Sequence, residues 1–212
     1  LPAGAGDRAA RAGGGGGAFQ ASWSTLLAMP EVQKEIGVTD EQKKLVEDML
    51  KDVRGALGAN REDAKGLSKE DRKKRFEEAG KDIAEKTKKA NEMAKLILEP
   101  KQLDRLEQLR LQRVGVAAFA DSEVAGKLVL TQDQKDKIAK LREGARSDRG
   151  SIENLKNASK EDRKQAFDKA RERGEKTQAD ILAFLSADQK TKWEQMQGKK
   201  FEFPQRTRGN NQ

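Results

Sequence analysis

Val38-Thr39-Asp40-Glu41-Gln42 recurs along the chain as Leu130-Thr131-Gln132-Asp133-Gln134. Leu185-Ser186-Ala187-Asp188-Gln189 repeats it with serine for threonine, and Leu98-Glu99-Pro100-Lys101-Gln102 keeps its frame without the hydroxyl. Each copy is an apolar residue, a capping side chain, two polar residues and a glutamine. Thr or Ser followed three residues later by Gln is a capping box. The hydroxyl accepts from the third helical amide, and the glutamine side chain reaches back to the cap's own N–H. Such a cap contributes about 1 kcal/mol. In the Leu98 copy Pro100 suits the first helical position. Glu99 is there a weaker cap, while Leu98 and Leu103 are placed to close a hydrophobic staple. Two further blocks are identical, Ser68-Lys69-Glu70-Asp71-Arg72 and Ser159-Lys160-Glu161-Asp162-Arg163. These marks predict helices starting at or near Thr39, Ser68, Glu99, Thr131, Ser159 and Ser186. On this reading Thr39, Gln42, Gln102, Thr131, Gln134, Ser186 and Gln189 are structural, helix-capping residues.

The repetition extends beyond the caps. Leu27-Ala28 and Glu31-Val32 match Phe119-Ala120 and Glu123-Val124, Phe76 matches Phe167, and Glu85-Lys86-Thr87 matches Glu175-Lys176-Thr177. The spacing predicts a helix from Thr39 carrying Val46, Leu50 and Val53 and ending near Gly58, then a polar turn from Asn60 to Leu67. Phe76, Ile83, Ala90 and Ile97 stand seven apart, a heptad position. Gly80 inside that helix costs about 1 kcal/mol, or lets another helix approach. A third helix runs from Pro100 to about Val114. In the second half Ile138, Leu141, Ala145, Ile152 and Leu155 share one frame, and a last helix carries Trp193 and Met196 and stops near Gly198. Short helices are expected within 27–36 and 119–128. No run alternates with period two for long enough to read as a strand. The expected fold is all-α: antiparallel helical hairpins with coiled-coil-like packing. The expected organisation is a flexible Gly/Ala/Arg-rich lead over 1–21, a first helical repeat over 22–115, a second over 116–200, and a basic tail over 201–212. Each half alone has little core to bury, so the two halves are expected to pack as a pseudo-twofold bundle.

Composition narrows the chemistry. Of 212 residues 34% are hydrophobic, 38% charged and 4% aromatic, which suits thin helical layers that bury one stripe each. Cysteine and histidine are absent. Disulfides, thiolate nucleophiles, Ser–His catalysis and most transition-metal sites are thereby excluded. The acids lie among lysines and arginines at helical spacing, where solvated ion pairs are the ordinary outcome. No catalytic residue, metal ligand or cofactor is assigned, and no enzyme activity is expected. No Walker glycine-lysine loop is present, and no stretch is apolar enough for a transmembrane segment. The net charge of +8 comes from 44 basic and 36 acidic residues. It either recruits an anionic partner or does no more than solvate helix faces. The first residue is Leu1, as a processed export precursor or a trimmed chain would have.

With these pentads in their helical setting, the chain resembles the LTxxQ-motif proteins of the bacterial periplasm, the Spy/CpxP family. Leu130 to Gln134 fits the motif fully, Val38 to Gln42 with Val for Leu, Leu185 to Gln189 with Ser for Thr, and Leu98 to Gln102 without the hydroxyl. The resemblance covers roughly Leu27 to Phe201. It implies hairpins that form a curved, cradle-like surface, and an exported protein. The implied function is ATP-independent chaperoning or restraint of an envelope-stress sensor. Members of that family carry two motifs per subunit and pair into dimers. Four motifs in one chain imply a monomer acting as its own pseudo-dimer, or a weak homodimer. The family's metal-binding relatives rely on histidine, so metal binding is not carried over.

Three functions follow as expectations. The first is an exported, ATP-independent chaperone whose basic side chains steer partly unfolded clients and whose apolar side chains then cover them. Its candidate client-binding residues pair aromatic groups with nearby Lys or Arg: Arg72, Lys73, Phe76, Arg163, Phe167, Trp193, Phe201 and Phe203. Phe76, Phe167 and Trp193 have core packing as their alternative. Phe201 and Phe203 are placed either for exposure or to fold back as a clamp. The second is a regulatory or structural envelope protein with one dedicated protein partner. The third is a polyanion binder; nucleic acid is disfavoured, because few aromatics stand beside the basic residues to stack bases.

Overall fold

The structure, a computed structural model, describes residues 22–62, 68–153 and 159–204. All regular structure among them is helical. The elements are α1 (Trp23–Leu27), α2 (Pro30–Glu35), α3 (Asp40–Glu62), α4 (Lys69–Ile97) and α5 (Pro100–Val114). A 3-10 segment (Gly115–Ala120) follows, then α6 (Ser122–Lys127), α7 (Gln132–Glu153), α8 (Lys160–Ala183) and α9 (Ala187–Gln197). The expected lead over 1–21, residues 63–67 of the expected turn, Leu155, and residues 205–212 of the tail lie outside the described residues.

Helix starts fall where the capping side chains stand. Ser68, Ser159 and Ser186 are the N-caps of α4, α8 and α9, and their hydroxyls accept from the amides of Asp71, Asp162 and Gln189. Thr39 and Thr131 accept in the same way from Gln42 and Gln134. Helix ends fall as expected at Val114 and before Gly198, and one does not. The first long helix does not stop at Gly58 but runs to Glu62. One glycine costs a helix only about 1 kcal/mol, and no proline follows it there.

The chain divides into two compact units, one ending at Arg113 and resuming at Lys200, the other spanning Val114–Lys199. In the first, α3 and α4 form an antiparallel hairpin, and α1 packs on α4, α2 and α3. Its core runs through Leu26, Leu27, Val32, Val46, Met49, Leu50, Val53, Ala90, Ala94, Leu98, Leu106 and Leu109. The expected staple residues belong to it, with Leu98 buried in the core and Leu103 packed against it. Glu107 on α5 accepts from the Trp23 indole at 3.0 Å and from Arg110 Nη2 and Nε at 2.7 and 2.8 Å. In the second unit α7 and α8 pair, and the 3-10 segment packs on α6, α7 and α8. Phe119, Val124, Leu128, Leu130, Ile138, Ile181, Leu185 and Trp193 are buried there.

Candidate functional site

The four pentad glutamines do more than cap. In the first unit Gln42 and Gln102 lie side by side. Gln42 Nε2 donates to Gln102 Oε1 at 2.9 Å, and Gln102 Nε2 returns a bond to Gln42 Oε1 at 3.0 Å. Each oxygen also accepts from its own cap's backbone N–H, Thr39 at 3.0 Å and Glu99 at 2.8 Å. Each nitrogen also donates to a backbone carbonyl across the hairpin, Gln42 to Ile97 at 2.9 Å and Gln102 to Gly37 at 2.8 Å. A primary amide has two N–H donors and two acceptor lone pairs, and all four are used on both side chains.

The second unit holds the same arrangement. Gln134 and Gln189 exchange bonds of 2.8 and 3.1 Å. Their oxygens accept from Thr131 N–H at 3.0 Å and Ser186 N–H at 2.9 Å. Gln134 donates to the Phe184 carbonyl at 2.7 Å, while Gln189 divides a bond between Leu128 at 3.2 Å and Val129 at 3.3 Å. Each clasp joins the starts of two helices to the chain segments that precede them.

The exposed large apolar side chains of the described residues lie beside these clasps. In the first unit they are Leu45, Met93 and Leu96, exposed by 52%, 42% and 88%. Each stands one position before an inward residue: Leu45 before Val46, Met93 before Ala94, Leu96 before Ile97. In an antiparallel pair of right-handed helices, positions one before the inward stripe turn to the same side of the pair. Positions one after it turn to the other side. There Lys95 lies 5.9 Å over the Trp23 ring, so α1 covers that second face. Gln42 reaches Ile97, so Leu45, one turn on, comes level with Met93. Leu45 and Met93 therefore stand on one side of the helix pair, and Leu96 near them is almost wholly in solvent. In the second unit Val129 and Phe184 are exposed by 71% and 37%, and their carbonyls are among those the glutamines grip. Lys137 Nζ stands 5.7 Å over the Phe184 ring.

Val129 also has φ +51°, left-handed backbone that a β-branched side chain disfavours. Its amide and that of Leu130 close the end of α6 onto Gly126 and Ala125, both at 3.0 Å. Gly37 does the same work after α2 with φ +69°, without a side chain to strain.

The client-binding candidates from the sequence are placed as follows. Trp193 is buried in the second unit, edge-on to Phe119 with ring centres 4.8 Å apart, so its ring is covered by core packing. Phe201 and Phe203 pack half-buried against the first unit's core, so they take the clamp alternative. Arg72, Lys73 and Phe76 fall on α4, and Arg163 and Phe167 on α8, with side chains outside the described residues. Leu45, Met93, Leu96, Val129 and Phe184 were not singled out as contact residues from sequence, where Phe184 reads as part of its helix's apolar stripe. The available signal was an apolar residue directly beside the inward stripe.

Among the described residues no group of three or more Asp or Glu side chains is placed to hold a metal ion, and no helix is long and apolar enough to cross a membrane. Compared with known proteins, the chain matches no family model, no curated protein and no solved structure.

Proposed function

We propose that this chain is an exported, ATP-independent chaperone-like protein that holds partly unfolded clients on exposed apolar residues set in charged helices. The observation that carries the proposal is the exposure of Leu45, Met93 and Leu96 near the glutamine clasp of the first unit. Leaving such side chains partly in water forgoes a share of the roughly 1.5–3 kcal/mol that full burial of each would contribute. A client with exposed apolar segments recovers part of that on contact and surrenders it when it folds and buries them itself. The charged residues around the exposed side chains keep the contact loose and the carrier dispersed. Export and kinship to the Spy/CpxP family belong to the same proposal, supported by the four pentads.

The test is dilution of chemically denatured clients with and without the protein, in the absence of nucleotide. Light scattering should fall for several unrelated clients. Leu45→Ser with Leu96→Ser should raise the amount of protein needed several-fold while leaving the helical circular dichroism intact, since both side chains are more than half exposed. If scattering is unchanged at several-fold molar excess for all clients, general chaperoning fails. Binding to one dedicated partner then becomes the leading account.

A further inference from the structure

The last described residues return to a unit they do not directly follow. Helix α9 belongs to the second unit and is stopped by Gly198 at φ +61°. From Lys200 the chain belongs to the first unit. There the Phe201 backbone N–H donates to Gln112 Oε1 at 2.9 Å. The Phe201 and Phe203 rings meet edge to face with centres 5.0 Å apart. Arg113 lies 5.2 Å over the Phe203 ring and also donates to Met29 Sδ at 3.7 Å. Both rings rest on the core that also carries Trp23 and Met29, and both stay partly exposed.

Among the described residues, the partners of this strap named above, Gln112, Arg113 and the first unit's core, all precede Val114. The features of the seat they form specify a ligand: an amide oxygen for one backbone N–H, apolar ground for two rings two residues apart, and a guanidinium to cover the second ring. We propose that this seat is a peptide-binding site for a partner segment of the form Phe-x-Phe, which displaces the chain's own Phe201-Glu202-Phe203. The strap is a tethered competitor. Tethering gives it an effective concentration of the order of millimolar, so a free segment is held off until it outcompetes the strap. Leu45, Met93 and Leu96 play no part in the seat. The proposal therefore stands or falls apart from the chaperone reading.

The probe is a fluorescein-labelled peptide with the sequence of residues 199–206, alongside a control peptide with serine for both phenylalanines. Both are titrated by fluorescence anisotropy against the full chain and against the full chain carrying Phe201→Ser and Phe203→Ser. The double variant, its strap disarmed, should bind the probe at least about tenfold more tightly than the wild type. Adding Gln112→Ala or Arg113→Ala to it should weaken binding several-fold, and the control should not bind. If circular dichroism shows the double variant misfolded, a protease site inserted after Gly198 replaces it. That chain folds with its strap in place and is then cut, and the released segment should exchange with the probe. Equal binding of probe and control, equal binding by wild type and variant, or no saturable binding or exchange overturns the proposal. So does a wild-type dimer that the double substitution makes monomeric, since a second copy's strap would then be the occupant.

Discussion

A capping box is satisfied by glutamate as well as by glutamine, yet the pentad ends in glutamine at all four places. The clasp supplies the reason. Gln102 must accept from Glu99 N–H and also donate to the Gly37 carbonyl and to Gln42 Oε1, and a carboxylate can do only the first. Gln102→Ala strips buried partners of their bonds and should cost about 2 kcal/mol in urea unfolding. Gln102→Glu should cost more at neutral pH, because the carboxylate faces two oxygens. Its folded-state pKa would be raised, so stability should recover as pH falls and the acid regains a proton to donate. A variant insensitive to pH would mean that the carboxylate turns out to solvent and the clasp opens. Val129 supports a second prediction at this scale. Val129→Gly should stabilise by about 1 kcal/mol through relief of left-handed strain, and Gly37→Val should destabilise by a similar amount. A Cβ at Gly37 meets nothing within 4 Å, so no clash of that atom adds to the backbone strain. Thermal melts of the two variants should move in opposite directions.

At the scale of elements, local chemistry decides what could be read from sequence. Helix starts were legible because a cap acts within four residues, and the side chains at Ser68, Ser159 and Ser186 fix α4, α8 and α9. Inward positions were legible from heptad spacing: Ala90 is buried, and Ile83 and Ile97 are half-buried. The pairing of Gln42 with Gln102 was not, since it joins residues 60 apart that the local pattern treats as independent caps. The seat of Phe201 and Phe203 was open for the same reason, as nothing near them in sequence shows Gln112 or Arg113. Helix α4 also carries two features that the sequence left unresolved. A Cβ at Gly80 would meet nothing within 4 Å, so no close helix approach explains the glycine. Gly80→Ala should therefore stabilise by about 1 kcal/mol. Among the described residues Thr87 Oγ1 and Asn91 Oδ1 are buried with no hydrogen-bond partner. Thr87→Val keeps the shape and removes an unpaired hydroxyl, and it should stabilise by about 1 kcal/mol. Urea midpoints check both substitutions. A loss of stability at position 80 would reveal a constraint on backbone approach, and a loss at position 87 a bound partner for the hydroxyl.

At the scale of the whole molecule the charge balance sets how stability responds to pH. Hydrogen bonding by Lys43 and Lys89, with their charge, holds Asp40 and Glu85 below their ordinary pKa, while Asp48 and Glu85 hold Lys51 and Lys89 above theirs. The lowered carboxyls contribute stability above the carboxylate range and lose it as pH falls through their folded values. The raised lysines contribute below about pH 10.4 and lose it as pH rises beyond. With no histidine in the chain, stability should be flat between about pH 6 and 9. Below about pH 4.5 two causes of loss compete. The ion pairs break, but all of these groups lie at the surface and such pairs contribute little. The net charge meanwhile climbs from +8 towards +44, the 44 basic residues with every acid neutral. Self-repulsion of that size should dominate. The two causes respond oppositely to salt, which screens over about 8–10 Å near physiological ionic strength. If repulsion dominates, added salt raises the acid-limb urea midpoint. If the ion pairs dominate, salt leaves that midpoint unchanged or lowers it, and the charge argument fails.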